Sequence, residues 1–174
     1  MALKQNTWKL NQWYDQDVAG NVTYTGVASL FAWGRNNNAQ LGQNNKTSYS
    51  SPVQVPGTTW QYLSHMSQSN DSDHSLATKT DGTLWAWGNN GTGQLGQNSE
   101  VKYSSPIQIP GTDWGQYMET SGSSSFAIRT DGTLWAWGLN ESGYGRLGLN
   151  NKTSYSSPTQ IPGTTWSKIN ANGF

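Results

Sequence analysis

Cysteine is absent from the 174 residues, so neither a disulfide framework nor a thiolate metal site is available. Charge is scarce as well: Asp, Glu, Lys and Arg make up 11% of the chain, ten basic against ten acidic. That balance leaves no electrostatic footprint for nucleic acid or an anionic membrane. Polarity must then come mainly from Asn, Gln, Ser and Thr, a composition common on secreted and virion proteins. No stretch approaches the roughly 18 apolar residues of a membrane span, so no membrane insertion is expected. The opening Met-Ala-Leu-Lys-Gln-Asn-Thr-Trp lacks the basic-then-apolar pattern of a signal peptide. The chain reads as soluble, or exported without a classical signal. Histidine occurs only twice, at 65 and 74, which leaves little for acid–base catalysis.

What the chain does have is a repeat. Leu-Trp-Ala-Trp-Gly runs from Leu84 to Gly88 and again from Leu134 to Gly138, with a diverged copy from Leu30 to Gly34. Each copy leads through a Gln/Arg-Leu-Gly turn into a Tyr-Ser-Ser-Pro-x-Gln-Ile/Val-Pro-Gly-Thr-x-Trp stretch, and a repeat of this kind decides the architecture before any single residue is weighed. Trp33, Trp87 and Trp137 fall in register, as do Pro52, Pro106 and Pro158, and Trp60, Trp114 and Trp166. The period varies because of an insertion near Gln68 to Asp71 and a second at Gly143 to Arg146. Units therefore start near 30, 84 and 134, the last incomplete, and residues 1–29 stand outside them.

Each unit reads as short strands. Phe126 to Thr130, Asp131-Gly132, then Thr133 to Trp137 predicts a hairpin, because a tight primed turn needs positive φ and Asp-Gly supplies it. His74 to Thr80, Asp81-Gly82 and Thr83 to Trp87 repeat the pattern. In the second strand Trp85 and Trp87 share one face and Leu84 and Ala86 the other, which predicts burial on both sides. The segments Ile107-Gln-Ile and Thr159-Gln-Ile read as short extended pieces bounded by prolines. No segment sustains a helical apolar period. The expected fold class is all-β: about three four-stranded propeller blades over residues 30–174, preceded by an arm over 1–29. Trp8, Leu10, Trp13, Tyr14, Val18, Val22 and Tyr24 make that arm too apolar for a disordered tail, so it should cover the first blade or anchor the chain to a partner.

The stretch Gly88-Asn-Asn-Gly-Thr-Gly-Gln-Leu-Gly96, with His74-Ser-Leu-Ala and Asp81-Gly-Thr-Leu-Trp-Ala-Trp-Gly88, resembles the regulator of chromosome condensation repeat. The resemblance covers residues 30 to 174 and implies a seven-bladed β-propeller that binds proteins. Members of that family include exchange factors for Ran-type GTPases and propeller-type β-lactamase inhibitory proteins. The regular Ser-Ser-Pro-x-Gln-Ile-Pro-Gly-Thr-x-Trp form and the leader from Thr7 to Gly20 are similar to repeats and leaders in predicted marine cyanophage proteins. That likeness implies a virion structural or appendage protein whose partners are other virion subunits or further copies of itself, or a host receptor or glycan; the alternatives are a soluble propeller that binds and regulates or inhibits a partner enzyme or GTPase, and a glycan-binding adhesin. About three units are present instead of seven. If about 400–500 Å² of apolar surface stays wet at each end, the forgone burial is about 10 kcal/mol per face, as large as a domain's net stability of roughly 5–15 kcal/mol. The expectation is that the natural chain continues or that another chain completes the ring.

Candidates for chemistry reduce to scaffold parts. His74 fills the repeat's His-Ser-Leu-Ala slot, where its counterpart is Ser124, so a structural hydrogen bond is expected. Asp81 and Asp131 are turn formers. Asp71-Ser-Asp73 lacks the Gly and distal Glu of an EF-hand loop. The glycine-rich 88–96 stretch lacks the Gly-Lys-Ser/Thr of a phosphate loop. No catalytic residue, cofactor or metal is expected. The triplets at Asn21, Asn45, Asn70, Asn90, Asn140 and Asn151 match the glycosylation pattern but should be silent without a signal peptide. The in-register tryptophans are expected in the core between blades. Partner contacts are expected at Trp8, Trp13 and Tyr14 of the arm and at Tyr49, Tyr103 and Tyr155, read as surface loop residues on one rim. They are also expected where the repeat is broken, at Arg35, Tyr144 and Arg146.

Overall fold

A computed structural model describes residues 28–66, 73–140 and 145–170. Eleven strands are found there: β1 Phe31–Gly34, β2 Tyr49–Gln54, β3 Trp60–Leu63, β4 His65–Met66, β5 His74–Lys79, β6 Leu84–Gly88, β7 Tyr103–Ile109, β8 Trp114–Ser121, β9 Ser124–Arg129, β10 Leu134–Gly138 and β11 Tyr155–Ile161. No helix occurs among the described residues. The strands form a sheet β3-β5-β6-β7, a sheet β4-β8-β9-β10-β11 and a two-stranded sheet β1-β2. The chain is an all-β run of meander sheets, two of them full blades. Residues 1–27 of the arm lie outside the described residues, as do Tyr144 and the insertion near Gln68 to Asp71.

The written repeat and the sheet are out of phase. The Leu-Trp-Ala-Trp-Gly unit opens on the third strand of each blade (β1, β6, β10), so each sequence unit finishes one sheet and starts the next. Of the prolines expected to bound the extended pieces, Pro110 and Pro162 directly follow β7 and β11, but Pro106 and Pro158 do not bound them. β7 and β11 run straight through Pro106 and Pro158, because these are last strands of their sheets, where a missing N–H breaks no ladder. The Asp-Gly turn also differs from the primed form. Gly82 N–H donates to the Lys79 carbonyl at 3.0 Å and Lys79 N–H to the Thr83 carbonyl at 2.9 Å. Gly82 alone has positive φ, at 76°. This is a three-residue loop with glycine at the left-handed position. It is chosen because the Asp81 carboxylate accepts the Thr83 N–H at 3.0 Å and hydroxyl at 2.6 Å, which holds Asp81 at negative φ. Asp131 and Thr133 repeat it.

The core lies between sheets. Leu76, Leu84, Ala86, Leu95 and Ile109 from one blade pack with Trp114, Met118, Ala127 and Trp137 of the next. Within each blade an indole triad forms. Trp60 meets Trp85 and Trp87 at centroid distances of 6.2 and 5.8 Å, and Trp114 meets Trp135 and Trp137 at 6.4 and 6.1 Å. Lys79 Nζ caps the first triad, 4.1 Å from the Trp85 ring, and the Arg129 guanidinium caps the second, 4.2 Å from Trp135.

Neighbouring blades are fastened by the same joint twice. The Gln40 carbonyl accepts Trp87 Nε1–H at 2.8 Å and the Ser75 hydroxyl at 3.1 Å. The Gln94 carbonyl accepts Trp137 Nε1–H at 2.8 Å and the Ser125 hydroxyl at 2.7 Å. Each indole lies on a glycine. A Cβ on Gly42 would come within 3.0 Å of Trp87 Nε1, and one on Gly96 within 3.1 Å of Trp137 Nε1. Farther along, Asn44 and Asn98, both left-handed, donate their N–H to the Ser104 and Ser156 carbonyls at 2.7 and 2.8 Å. The Gln-Leu-Gly motif is thus the receiving half of a joint whose inserted half is the Trp of the next repeat.

Candidate functional site

The joint predicts where surface is left over. Trp87 and Trp137 are 2% and 0% exposed, but Trp33 at the same repeat position is 61% exposed, and Trp166, partner of buried Trp60 and Trp114, is 39% exposed. The expectation of in-register core tryptophans is corrected at these two. Among the described residues no sheet closes over the β1 side or the 166–170 side, so the outermost indoles keep one face open.

On the β1 side the opening is a groove of about 400 Å³ lined by Leu30 to Trp33, Leu41, Val55, Leu63 and Trp87, with Arg35, Gln40, Asp73 and Ser75 at its polar end. Phe31 and Leu63 add to the apolar wall, each 51% exposed. The cause is topological. In the next blade β6 is flanked by β5 and β7, whereas β1, its counterpart, pairs among the described residues only with β2. An apolar wall beside a strand with one unpaired side is suited to an extended polypeptide or an apolar protein surface.

A second cleft, of about 590 Å³, opens beside the first strands of the blades. Tyr62, Tyr117, Trp166 and Lys168 line it with Gln61 and Gln116. Sequence reasoning missed Tyr62 and Tyr117. Tyr62 closes the register shift between Trp60 and Tyr62, and Tyr117 lies within the one between Trp114 and Met118; such bulges turn side chains out of the sheet. The signal was present as Trp-x-Tyr and Trp-x-x-Tyr after the Pro-Gly-Thr turns, but alternation alone cannot place a bulge.

The residues named from the sequence fall as follows. Tyr49, Tyr103 and Tyr155 are not in loops. They open β2, β7 and β11, half-buried, and Tyr103 and Tyr155 lie against core clusters. The Tyr49 and Tyr155 hydroxyls accept Asn45 and Asn151 side-chain N–H at 3.0 and 3.3 Å. Arg35 pairs with Asp73 at 3.0 and 3.1 Å. That carboxylate also accepts from Asn38 and, at 3.3 Å, from Gln40, so Arg35 ties the first sheet to the second at the polar end of the groove. Arg146 stands where the other repeats have Gln40 and Gln94. It is half-buried, and its Nε has no hydrogen-bond partner among the described residues. Trp8, Trp13, Tyr14 and Tyr144 lie outside the described residues. The structure therefore brings Arg35 to the groove.

The titratable groups have structural causes. His74 is buried and its pKa is lowered to about 3 by desolvation. Its Nε2 is 2.8 Å from the Ser125 hydroxyl. That hydroxyl donates to the Gln94 carbonyl, so His74 is the donor in this pair and its proton sits on Nε2. Ser124 at the matching position donates to the Leu139 carbonyl at 2.7 Å. Hydrogen bonds from Thr83 and Thr133 hold Asp81 and Asp131 below the usual carboxylate range. Among the described residues no group of three or more His, Asp or Glu could hold a metal ion. Two of the glycosylation triplets are closed by the fold. Asn90 and Asn140 are fully buried, their amides donating to loop carbonyls at 2.7–3.0 Å.

Comparison with known proteins agrees with this architecture. The model of the Regulator of chromosome condensation (RCC1) repeat matches residues 28–68, 81–128 and 131–170. A Caenorhabditis elegans homologue of the X-linked retinitis pigmentosa GTPase regulator is 35% identical over 82 residues, 45% of this chain and 6% of that protein. Human Protein RCC2 is 30% identical over 93 residues, 53% of this chain and 17% of that protein. The chain thus spans under a fifth of these relatives' length. The crystal structure of Prp20p from Saccharomyces cerevisiae superposes with a TM-score of 0.64 at 18% identity, covering 78% of this chain and 34% of that one. At that identity the likeness concerns the fold.

Proposed function

We propose that this chain, which belongs to the regulator of chromosome condensation (RCC1) repeat family, is a non-enzymatic protein-interaction scaffold, and specifically a structural or appendage subunit of a virion. The observation that carries the scaffold reading is the apolar band of Phe31, Trp33 and Leu63 along the β1 groove. Three large apolar side chains more than half exposed beside a strand with an open side are costly in a free domain and useful at an interface. The most perturbed titratable group, His74, is sealed and neutral, which suits a scaffold and not a catalyst. The virion part rests on the resemblance of the repeat and the leader to cyanophage proteins read from the sequence, and it sets the remaining terms: virion localisation, and other virion subunits or further copies of the chain, a host receptor or a glycan as partners.

Peptide mass spectrometry of purified particles tests it. The full chain should be present, and a chain lacking residues 1–29 should be lost from particles while its β content stays normal. Absence of the full chain from particles refutes the virion reading, and normal incorporation of the deletion refutes an anchoring role for residues 1–29.

A second reading, a soluble regulator of a GTPase, is favoured by the GTPase regulator homologue among the relatives and by the Prp20p structure, whose description includes binding to Gsp1p and histones. It predicts a stoichiometric complex with a small GTPase and an altered nucleotide-exchange or hydrolysis rate. An unchanged rate at saturating scaffold removes it.

A further inference from the structure

The joint made twice within the chain has one unused half at each end of the described residues, and the two halves are complementary. The receiving half recurs as Gln40, Gly42 and Asn44, as Gln94, Gly96 and Asn98, and as Arg146, Gly148 and Asn150. In the first two sets the glycine is buried under an indole. In the third, Gly148 keeps the left-handed backbone, at φ 68°, but is exposed, and a Cβ there would meet nothing nearer than Ile161 Cδ1 at 3.6 Å. Asn150 keeps the left-handed φ of Asn44 and Asn98, at 54° against 56° and 51°. Its two counterparts give their N–H to a serine carbonyl of the following blade, and no such bond is found for Asn150 among the described residues.

The inserted half shows the mirror of this. Trp87 with Ser104, and Trp137 with Ser156, are spent in joints. Trp33 with Ser50, the same positions of the first repeat, are exposed, as is Pro52, although Pro106 and Pro158 are half-buried.

We propose that copies of this chain join head to tail, the Trp33 indole of one copy lying on Gly148 of the next with its Nε1–H given to the Arg146 carbonyl, and the Ser50 carbonyl of the first accepting the Asn150 N–H. This deepens the scaffold reading above and rests on it, by naming a second copy as the partner for this surface. The receiving half takes a Trp followed by a β-bulge glycine that pairs across with the Tyr of a Tyr-Ser-Ser-Pro strand, and that is what the β1–β2 sheet presents, with Gly34 opposite Tyr49. Because the joint is heterologous, it gives a ring if the rotation closes and a filament if it does not. The side chain of residue 146 does not decide the contact, since its backbone carbonyl is the acceptor. This is why Arg can replace Gln there.

The test uses the full 174-residue chain and two variants that spare the monomer. Trp33→Asp alters an exposed side chain. Gly148→Asn keeps a residue that tolerates left-handed φ but fills the seat of the indole. Circular dichroism checks that both are folded. Light scattering and sedimentation velocity should show the wild type above 19.1 kDa, with mass rising with concentration, and each variant at the monomer mass. Mixing the two variants should give a species of twice that mass and nothing larger, because each brings one working face. A wild type that is monomeric at every concentration overturns the proposal, as it would if residues 1–27 or another protein occupied the Trp33 face. Variants that assemble like the wild type, or a mixture that stays monomeric, overturn it as well. A monomeric chain that still enters particles leaves the scaffold reading standing, so the two failures are distinguishable.

Discussion

Alanine substitution at Trp33, Trp87 and Trp137, the same position of three consecutive repeats, should give widely different costs. Trp137 is fully buried, touches Trp114 and donates to the Gln94 carbonyl. An indole buries roughly 150–250 Å², which at about 25 cal/mol per Å² is about 4–6 kcal/mol, and the lost hydrogen bond adds about 1 kcal/mol. Measured aromatic truncations in cores run at about 3–5 kcal/mol, so Trp137→Ala should cost about 4 kcal/mol. That is a large share of a net stability of roughly 5–15 kcal/mol. Trp87→Ala should cost nearly as much, because its contacts are equivalent. Trp33→Ala should stay within about 0.5 kcal/mol in the monomer, as for an ordinary surface change. Urea unfolding followed by far-ultraviolet circular dichroism at low protein concentration reads all three without depending on the altered tryptophan count. A Trp33→Ala chain as destabilised as Trp137→Ala would refute the argument, because it would mean that Trp33 is covered within the monomer.

Glycine substitutions separate the joint from the backbone. Gly96→Ala and Gly148→Ala share the left-handed penalty of about 1–2 kcal/mol, but only the first pushes into a bound indole, 3.1 Å away, so its midpoint in urea should fall further. For pH, His74 titrates at about 3 when folded and 6.5 when unfolded. A lowered folded value means that the unfolded chain takes up the proton first. Stability is therefore full above pH 6.5 and falls on acidification by about 1.4 kcal/mol per unit from there down toward pH 3. His74→Ser, which copies Ser124, should flatten that slope between pH 6.5 and 4 in urea midpoints taken at each pH. Removing the guanidinium over Trp114 and Trp135 with Arg129→Met should cost about 1 kcal/mol in the same assay. Arg129→Lys should recover most of it, because Lys79 does the same work in the preceding blade.

Much of the fold was legible because the repeat reports it directly. Alternation in Leu84 to Trp87 placed both apolar faces of a central strand, and Asp-Gly placed the hairpins. The turn type was not legible: Asp81 prefers to accept from Thr83, and that choice between local hydrogen bonds is made in space. Of the candidate site, Arg35 was found as a break in the pattern, but its pairing with Asp73, 38 residues away, was not. Tyr49, Tyr103 and Tyr155 were named for the polarity of their neighbours, and strand pairing left them half-buried, Tyr103 and Tyr155 against core clusters. Tyr62 and Tyr117 went unseen because bulges shift alternation locally.

The sequence by itself determined the all-β class, the blade, the Trp-Gly and Gln-Leu-Gly parts and the absence of thiol chemistry, since all of these follow from composition and short-range pattern. Only the tertiary structure decided which copy of each part is spent and which is free. Trp33 and Trp137 have nearly the same local sequence, and Gly96 and Gly148 share the same turn. Their difference is whether another sheet lies against them, a long-range contact that no window of sequence contains.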